Sequence, residues 1–277
     1  MSAPWLLLDA GNSALKWALV PPAGEGGAHG TPRDHGAVAM GGGDFAARLG
    51  ALLRVIDRPA RVLGCAVAGA PTLQAIEGVA ALCCGLPVQW LAAQEWFEGP
   101  GWRLVSTYLE PERLGADRWH AMLGARSLQP GQDLLVVCAG TAVTADAVSG
   151  DGRFLGGTIT PGPTLQLESL AHGTARLPAA AGTLQDFPAT TVDAIHTGVL
   201  EGLAGLLERR ARAMRSRLGA DPLVLLSGGA AGALEPLLRA APGLGKIVAE
   251  PDLVLRGLWV RAAHEGTAGE ARTSPGS

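Results

Sequence analysis

One strand-turn-strand motif occurs twice in this sequence, and it limits the folds that the chain can adopt. The first copy, residues 5–20 (WLLLDAGNSALKWALV), has an apolar run, a turn at Gly11, and a second run in which apolar residues alternate with others. Apolar runs on either side of a glycine turn are typical of a β-hairpin. Asp9 would lie near the tip of this hairpin, beside the short polar side chains of Asn12 and Ser13.

The second copy, residues 135–149 (LVVCAGTAVTADAVS), is found by shifting the sequence 129 positions, which brings Cys138 onto Asp9 and Gly140 onto Gly11. Either hairpin alone would also suit a plain turn, because Asp, Gly, Asn and Ser are common turn residues. Two copies half a chain apart predict two related α/β halves that face each other across a cleft. Each half would point one glycine turn into that cleft, where backbone N–H groups suit phosphate.

Strand-like and helix-like segments alternate in both halves, which favours a mixed, mainly parallel sheet flanked by helices in each half. With 277 residues the chain has the length of two ordinary domains. We expect an N-terminal α/β domain over residues 1–125, a C-terminal α/β domain over residues 126–265, and a disordered tail over residues 266–277.

Composition excludes several classes of function. The chain is 48% hydrophobic and 17% charged with a net charge of −3, and its basic residues are scattered, so no nucleic-acid-binding surface is expected. Its apolar stretches are too short for a membrane span, and residues 1–20 lack the pattern of a signal peptide. We therefore expect a cytoplasmic protein that binds neither nucleic acid nor membrane.

The cysteines and histidines give no metal-binding pattern. Cys65, Cys83, Cys84 and Cys138 show no C-x-x-C spacing, and we expect them to be small buried hydrophobes. His120 is expected to be a surface or capping histidine.

Two further segments could bind a ligand. In Gly115–Arg118 (GADR), Asp117 and Arg118 stand side by side at the start of a predicted helix. They could form a solvated ion pair, or they could hold two groups of one ligand, because adjacent helical residues point in different directions. A strand followed by Gly228 and Gly229 and then by a helix is suited to bind an anion or a nucleotide.

The predicted helix over residues 191–218 carries glycines at spacings of four and three. Gly198, Gly202 and Gly205 would form a smooth strip, at a cost to helix stability of about 1 kcal/mol for each glycine. Such a strip would admit a second backbone, for example that of a partner subunit.

Five motifs, in order along the chain, resemble those of the type III pantothenate kinases, members of the superfamily of acetate kinase, hsp70 and actin. DAGNS is similar to the first phosphate motif of that family, GADR to its pantothenate motif and AGTAVTAD to its second phosphate motif. GGTITPG and SGGAA resemble further family segments, the latter on the adenosine side. The resemblance covers residues 5–260 and implies two ribonuclease H-like (actin-like ATPase) domains. It also implies ATP-dependent phosphorylation of pantothenate to 4'-phosphopantothenate, the first step of coenzyme A biosynthesis.

The resemblance also implies a role for each matching residue. Asp117 would be the general base that takes the proton of the pantothenate hydroxyl, and Asp9 would bind Mg²⁺, mostly through water. The residues implied to hold pantothenate are Tyr108, Gly115, Ala116, Arg118 and Thr191. Those implied to line ATP and its phosphates are Asp9, Ala10, Gly11, Asn12, Ser13, Lys16, Gly140, Thr141, Gly228 and Gly229. Family members are homodimers and commonly need a monovalent cation, K⁺ or NH₄⁺.

One position departs from the family pattern. Cys138 stands where the family usually has an aspartate that serves as a cation ligand. A thiol is a poor ligand for hard cations, so Asp146 on the same predicted strand pair could take over part of that role. The departure motivates an alternative: a catalytically weakened, nucleotide-binding accessory or regulatory protein of the same fold. Another phosphotransferase or phosphohydrolase of the superfamily is a third possibility.

Overall fold

The computed structural model describes residues 2–22, 31–173, 182–241 and 243–271. Backbone contacts divide the chain into two units. The first consists of Met1–Pro130 together with Leu253–Ser277, and the second of Gly131–Asp252.

The first unit is built on a five-stranded sheet with the order β3-β2-β1-β4-β5. Strands β1 to β3 form an antiparallel meander, whereas β4 and β5 continue the sheet parallel to β1. The strands are β1 (Trp5–Ala10), β2 (Ala14–Val20), β3 (Asp34–Ala39), β4 (Arg61–Ala66) and β5 (Val88–Trp90).

Both faces of this sheet are covered, which explains the run of consecutive leucines in β1. Leu6 and Leu8 pack in a cluster that includes Phe45 and Ile76, which lie on two helices, and Leu7 packs in another cluster on the opposite face. A central strand buried on both faces carries continuous apolar sequence. The helices of this unit are α1 (Phe45–Val55), α2 (Ala70–Cys84), α3 (Ala116–Leu128) and α7 (Leu253–Ala271).

A small hairpin and a 3₁₀ turn precede α3. The hairpin consists of β6 (Trp96–Gly99) and β7 (Trp102–Val105), and the 3₁₀ turn covers Pro111–Arg113. This strand pair forms a sheet of its own, separate from the five-stranded sheet.

The second unit has the same strand order, β10-β9-β8-β11-β12. One face of its sheet packs on two helices, residues 191–218 and 231–240, through a cluster that includes Leu135, Val137, Leu203 and Leu234. Its elements are β8 (Leu134–Ala139), β9 (Ala142–Val148), β10 (Phe154–Pro161), α4 (Pro163–Gly173), α5 (Thr191–Leu218), β11 (Leu223–Ser227), α6 (Ala231–Ala240) and β12 (Ile247–Ala249).

The internal repeat is confirmed by the matching topology of the two sheets. Asp9 of β1 lies opposite Cys65 of β4, and Cys138 of β8 lies opposite Ser227 of β11. The two mixed sheets flanked by helices have the predicted α/β class, the ribonuclease H-like (actin-like ATPase) fold.

The C-terminal helix α7 lies in the first unit, whereas the predicted boundaries placed residues up to 265 in the second domain. Gly124 of α3 and Gly257 of α7 have no room for a Cβ, which would meet backbone atoms of Leu253 and His120 respectively. Sequence spacing could not reveal this close helix contact. The expected disordered tail also begins too early, because α7 extends to Ala271; residues 272–277 lie outside the described residues.

In the part of the chain that the structure describes, no helix combines the length and the apolarity that crossing a membrane requires.

Candidate active site

The turn after β1 lies at the carboxyl end of the central strand of the first sheet. Gly11 donates its N–H to the carbonyl of Ala14 at 3.2 Å, and the carbonyl of Ser13 accepts from Met40 at 2.9 Å. These bonds hold the turn, while the side chains of Asn12 and Ser13 stay exposed. Ala10 is buried, and its carbonyl accepts from the backbone N–H groups of Val67 and Ala68, which anchor the following loop.

Asp9 shares one face of the sheet with Lys16 and Cys65. It pairs with Lys16 across β1 and β2 and with Cys65 across β1 and β4. Residues paired across neighbouring strands project from the same face. The structure therefore brings the predicted phosphate residues Asp9 and Lys16 together, and it adds a cysteine between the sheet and α7.

Cys65 is the residue at this site that sequence reasoning missed. Its Sγ lies 3.8 Å from Oδ1 of Asp9, and the side chain is fully buried. Burial, and then the negative charges of Asp9 and Asp117, raise the pKa of the thiol well above its ordinary value. The negative charges of both Asp9 and Asp117 therefore reach the surroundings of Cys65 in the first unit.

Asp117 lies in the first turn of α3, where a negative charge is favoured by the helix dipole. Its Oδ1 accepts a hydrogen bond from the backbone N–H of Arg118 at 2.8 Å. Gly115 is the residue before α3, and a Cβ built on it would lie 2.6 Å from this Oδ1. The glycine of GADR thus makes room for the carboxylate that follows it.

Arg118 is buried and contacts Tyr108. Only 4% of its surface is exposed, its Nη1 donates to Oη of Tyr108 at 2.8 Å, and its guanidinium lies 5.7 Å from the centre of the tyrosine ring. The structure therefore joins two of the predicted pantothenate residues. The interpretation of GADR as a solvated helix start is wrong for Arg118, because β7 and the turn after it cover the start of the helix.

His120 is fully buried inside α3, so the prediction of a surface or capping histidine is also wrong. Its Nδ1 lies 2.7 Å from the carbonyl oxygen of Ala116, one turn earlier in α3. Burial lowers the pKa of His120 to about 3, with a further contribution from the positive charge of Arg261. The ring is therefore neutral near pH 7 and helps to fix the backbone of the GADR segment.

In the second unit, the turn after β8 is held in much the same way as the turn after β1. Gly140 donates its N–H to the carbonyl of Ala142 at 2.9 Å, and the carbonyl of Thr141 accepts from Gly162 at 2.8 Å. Gly140 and Thr141 are exposed. A Cβ on Gly162 would collide with the carbonyl oxygen of Gly140, so the GGTITPG segment packs directly on the second phosphate motif.

The SGGAA segment reaches the same strand end. Gly228 has a φ of +99°, and a Cβ there would collide with the backbone of Ala139, so this position requires glycine. Ala230 donates its N–H to the carbonyl of Ala139 at 2.9 Å. The structure thus brings Gly140, Thr141 and Gly228 together, with the exposed Gly229 beside them.

Thr191 is the first residue of α5 and is exposed. The preceding residue, Thr190, caps the helix by accepting from the N–H of Asp193 at 3.2 Å. Asp193 in turn accepts from both the N–H and the hydroxyl of Thr183, at 2.8 and 3.0 Å. These bonds fix the backbone around Thr191 within the second unit, whereas Tyr108, Asp117 and Arg118 belong to the first.

The two implied cations fit the residues differently. Among the described residues no group of three or more His, Cys, Asp or Glu side chains could hold a metal ion. A single partly exposed carboxylate, Asp9, suits Mg²⁺, which keeps several waters and binds phosphate oxygens. At Cys138 the residues paired across the sheet, Thr144 and Ser227, offer hydroxyl oxygens but no carboxylate, and the soft thiol is a poor ligand for a hard cation. Asp146, the carboxylate predicted to take over part of this role, is buried two residues beyond Thr144 on the same face of β9.

Solved structures with the same fold support the architecture. The chain is similar to a conserved Baf family protein from Campylobacter jejuni, described as a putative transcriptional activator, with a TM-score of 0.56 and 19% identity over 95% of this chain and 99% of that one. It is also similar to the ADPNP-bound activator of 2-hydroxyisocaproyl-CoA dehydratase from Clostridium difficile, with a TM-score of 0.54 and 12% identity over 99% of both chains. At these identities the likeness concerns the fold alone.

Sequence relatives identify the family. The family model for type III pantothenate kinase matches residues 5–213. The type III pantothenate kinase of Laribacter hongkongensis is 40% identical over 91% of this chain and 96% of that protein. The enzyme of the same name from Methylibium petroleiphilum is 38% identical over 94% of this chain and 99% of that protein. The chain therefore belongs to the type III pantothenate kinase family.

Proposed function

We propose that this chain transfers the γ-phosphoryl group of ATP to the primary hydroxyl of pantothenate, with Asp117 as the general base. Family membership supports the reaction itself. The observation that supports the assignment of Asp117 is its place in the first turn of α3, next to Arg118, which donates a 2.8 Å hydrogen bond to Tyr108. The charge of Asp117 also reaches Cys65, the neighbour of Asp9. The acceptor and the phosphate chain would then meet beside one strand end of the first unit.

In the transfer step the pantothenate oxygen attacks the γ-phosphorus as the bond to the β,γ-bridging oxygen breaks. Asp117 takes the hydroxyl proton, and ADP leaves with the bridging oxygen. Phosphoryl transfer needs positioning and charge compensation more than covalent help from the protein. A carboxylate base contributes about 10²–10⁴-fold to such a step.

Arg118 and Tyr108 would hold the acceptor. A guanidinium is well suited to a carboxylate, and Arg118 is held by the Tyr108 hydroxyl at 2.8 Å. We assign the pantothenate carboxylate to Arg118 and place Thr191 among the further substrate contacts.

The N–H groups of Gly11 and Gly140 are used inside their own turns, so the residues that follow, Asn12, Ser13 and Thr141, would offer N–H groups and hydroxyls to the phosphates. Gly228 and Gly229 would face the adenosine. Asp9 would hold Mg²⁺ through water, and the metal when bound offsets the negative charge of the β- and γ-phosphates. Lys16, on the same face as Asp9, would add a positive charge there.

Homodimer formation is also proposed from the family resemblance. It is supported by the glycine strip of α5: apart from the adjoining backbone of the helix itself, no described atom lies within 4 Å of a Cβ built on Gly198, Gly202 or Gly205. A smooth, uncovered helix strip of this kind can admit the backbone of a second subunit.

The alternative, a weakened nucleotide-binding accessory protein, is motivated by Cys138 in place of the usual aspartate. Purified protein incubated with ATP, Mg²⁺ and pantothenate, with mass-spectrometric detection of 4'-phosphopantothenate, separates the two. We expect multiple turnovers by the wild type and at least a 10²-fold lower kcat for Asp117→Asn. Product formation below one turnover per wild-type molecule would favour the accessory role.

A further inference from the structure

The carboxylate of Asp9 has a buried neighbour, the Cys65 thiol, that takes no part in the reaction proposed above. The two residues are register partners in parallel strands, and Oδ1 lies 3.8 Å from Sγ. Asp9 is partly exposed, whereas Cys65 is fully buried. The carboxylate therefore has solvent on one side and a weak hydrogen-bond donor behind it.

We propose that Cys65 is a positioning residue for phosphoryl transfer, which donates its S–H to Asp9 and holds this carboxylate in the orientation that the phosphates and their metal require. The inference rests on the proposed function, because that function places Asp9 at the phosphates. A thiol is a weak donor, so its contribution is to orientation more than to binding strength. A carboxylate misplaced by about 1 Å can cost a large part of the rate.

The surroundings of Cys65 hold the thiol in place. It packs in an apolar cluster with Leu7, Leu63 and Leu255, which leaves it as a neutral donor toward a charged acceptor. The preceding residue, Gly64, has no room for a side chain, since a Cβ would lie 2.6 Å from the Trp90 ring and 3.0 Å from the Leu8 carbonyl oxygen. The approach of β4 to β1, and with it the distance from thiol to carboxylate, is thereby fixed.

The second half of the repeat shows that this pairing is specific to the first. Ser227 occupies the position that corresponds to Cys65, opposite Cys138. Its hydroxyl donates instead to the carbonyl of Pro251 at 2.9 Å. In the first half the side chain at this position, Cys65, therefore faces a carboxylate, whereas in the second half the side chain at the corresponding position, Ser227, bonds to a backbone carbonyl.

The kinetic test compares three substitutions at this site. Cys65→Val fills the space without a donor, Cys65→Ala removes the donor, and Cys65→Ser keeps one. We expect Val and Ala to lower kcat/KM for MgATP about three- to tenfold, the scale of one weak hydrogen bond to a charged group, with the KM for pantothenate unchanged. Cys65→Ser should recover most of that loss. Cys84→Ala, which removes a buried thiol from the α2 face of the sheet, is the matched control and should leave both constants unchanged.

An infrared measurement tests the contact without activity. The S–H stretching band that disappears in Cys65→Ala should shift to higher frequency in Asp9→Ala, because the acceptor is lost. An unshifted band, or Val and Ala variants with wild-type kcat/KM, or a Ser variant as impaired as Ala, would overturn the proposal. A wild type without pantothenate phosphorylation would instead overturn the proposed function, and the positioning role with it. The infrared band would still report whether the hydrogen bond exists.

Discussion

The carboxylate of Asp117 occupies the space that a side chain on Gly115 would need: a Cβ built on Gly115 would lie 2.6 Å from Oδ1 of Asp117. The backbone at Gly115, with φ −54° and ψ 131°, is one that alanine adopts readily. Gly115→Ala should therefore fold normally but displace the carboxylate of the proposed base. We expect kcat to fall about 10- to 100-fold with little change in melting temperature, measured by steady-state kinetics and circular dichroism.

Gly78→Ala is the matched control for this prediction. Gly78 lies in α2, and apart from the adjoining backbone of that helix no described atom lies within 4 Å of the Cβ it would gain. This variant should keep wild-type kinetics. Full activity in Gly115→Ala would mean that the position of Asp117 is not critical, and the general-base assignment would lose its support.

The contact between Arg118 and Tyr108 predicts that substitutions of either residue weaken the binding of pantothenate and leave the binding of ATP unchanged. Arg118→Lys keeps the charge but loses the planar guanidinium, so the KM for pantothenate should rise about tenfold or more while the KM for ATP stays unchanged. Tyr108→Phe removes the acceptor of the 2.8 Å bond and should raise the same KM about three- to fivefold. Arg113→Lys, at an exposed arginine paired with Glu110, is the control. Equal changes in both KM values would contradict the assignment of Arg118 to pantothenate.

The proposed role of Asp9 predicts that turnover depends on the negative charge of this side chain. Asp9→Asn keeps the shape but removes the negative charge, and turnover should fall at least about 10²-fold across an Mg²⁺ titration. Asp44→Asn, at an exposed aspartate paired with Arg48, should behave as the wild type. Normal Mg²⁺-dependent activity in Asp9→Asn would show that the metal is held elsewhere.

The burial of His120 predicts that the protein loses stability in acid. Its folded pKa of about 3 is below the ordinary value of 6.5, so the unfolded state binds a proton first as the pH falls. The unfolding free energy therefore keeps its full value above about pH 6.5 and falls progressively toward pH 3, as the unfolded state gains a proton that the folded state does not bind. Between pH 7 and pH 5 the wild type should lose about 2 kcal/mol more unfolding free energy than His120→Gln, measured by urea denaturation. The exposed His35→Gln variant should follow the wild type, and parallel curves for all three proteins would contradict the burial effect.

Local patterns in the sequence were sufficient to predict the repeat and most helices and strands. The two hairpins are set by alternation and glycine turns within about 16 residues, so their likeness could be seen without a structure. The long helix α5 follows its predicted bounds, Thr191–Leu218, for the same reason. The sequence was also sufficient to predict that Gly11, Gly140 and Gly228 lie at the ends of strands.

Features that depend on long-range packing could not be predicted. Cys65 lies 56 residues from Asp9 in the chain, and only the parallel pairing of β1 with β4 makes them neighbours. The burial of Arg118 and His120 follows from the cover that β7 and α7 give to α3, which no spacing reveals. The place of α7 in the first unit likewise depends on the contact of Gly257 with the backbone of α3.

The presence of a cysteine at position 138 predicts how the turnover rate responds to monovalent cations. Its soft thiol stands beside the hydroxyls of Thr144 and Ser227, and neither residue paired with it across the sheet is a carboxylate. Wild-type turnover should therefore change less than about twofold when K⁺ replaces Na⁺ at constant ionic strength, because the added binding free energy is small. Cys138→Asp should gain a response to K⁺, and isothermal titration calorimetry should detect K⁺ binding to this variant alone. Cys138→Ser, which adds no charge, is the control. A wild type that already depends strongly on K⁺ would show that the ion is held without a carboxylate at position 138.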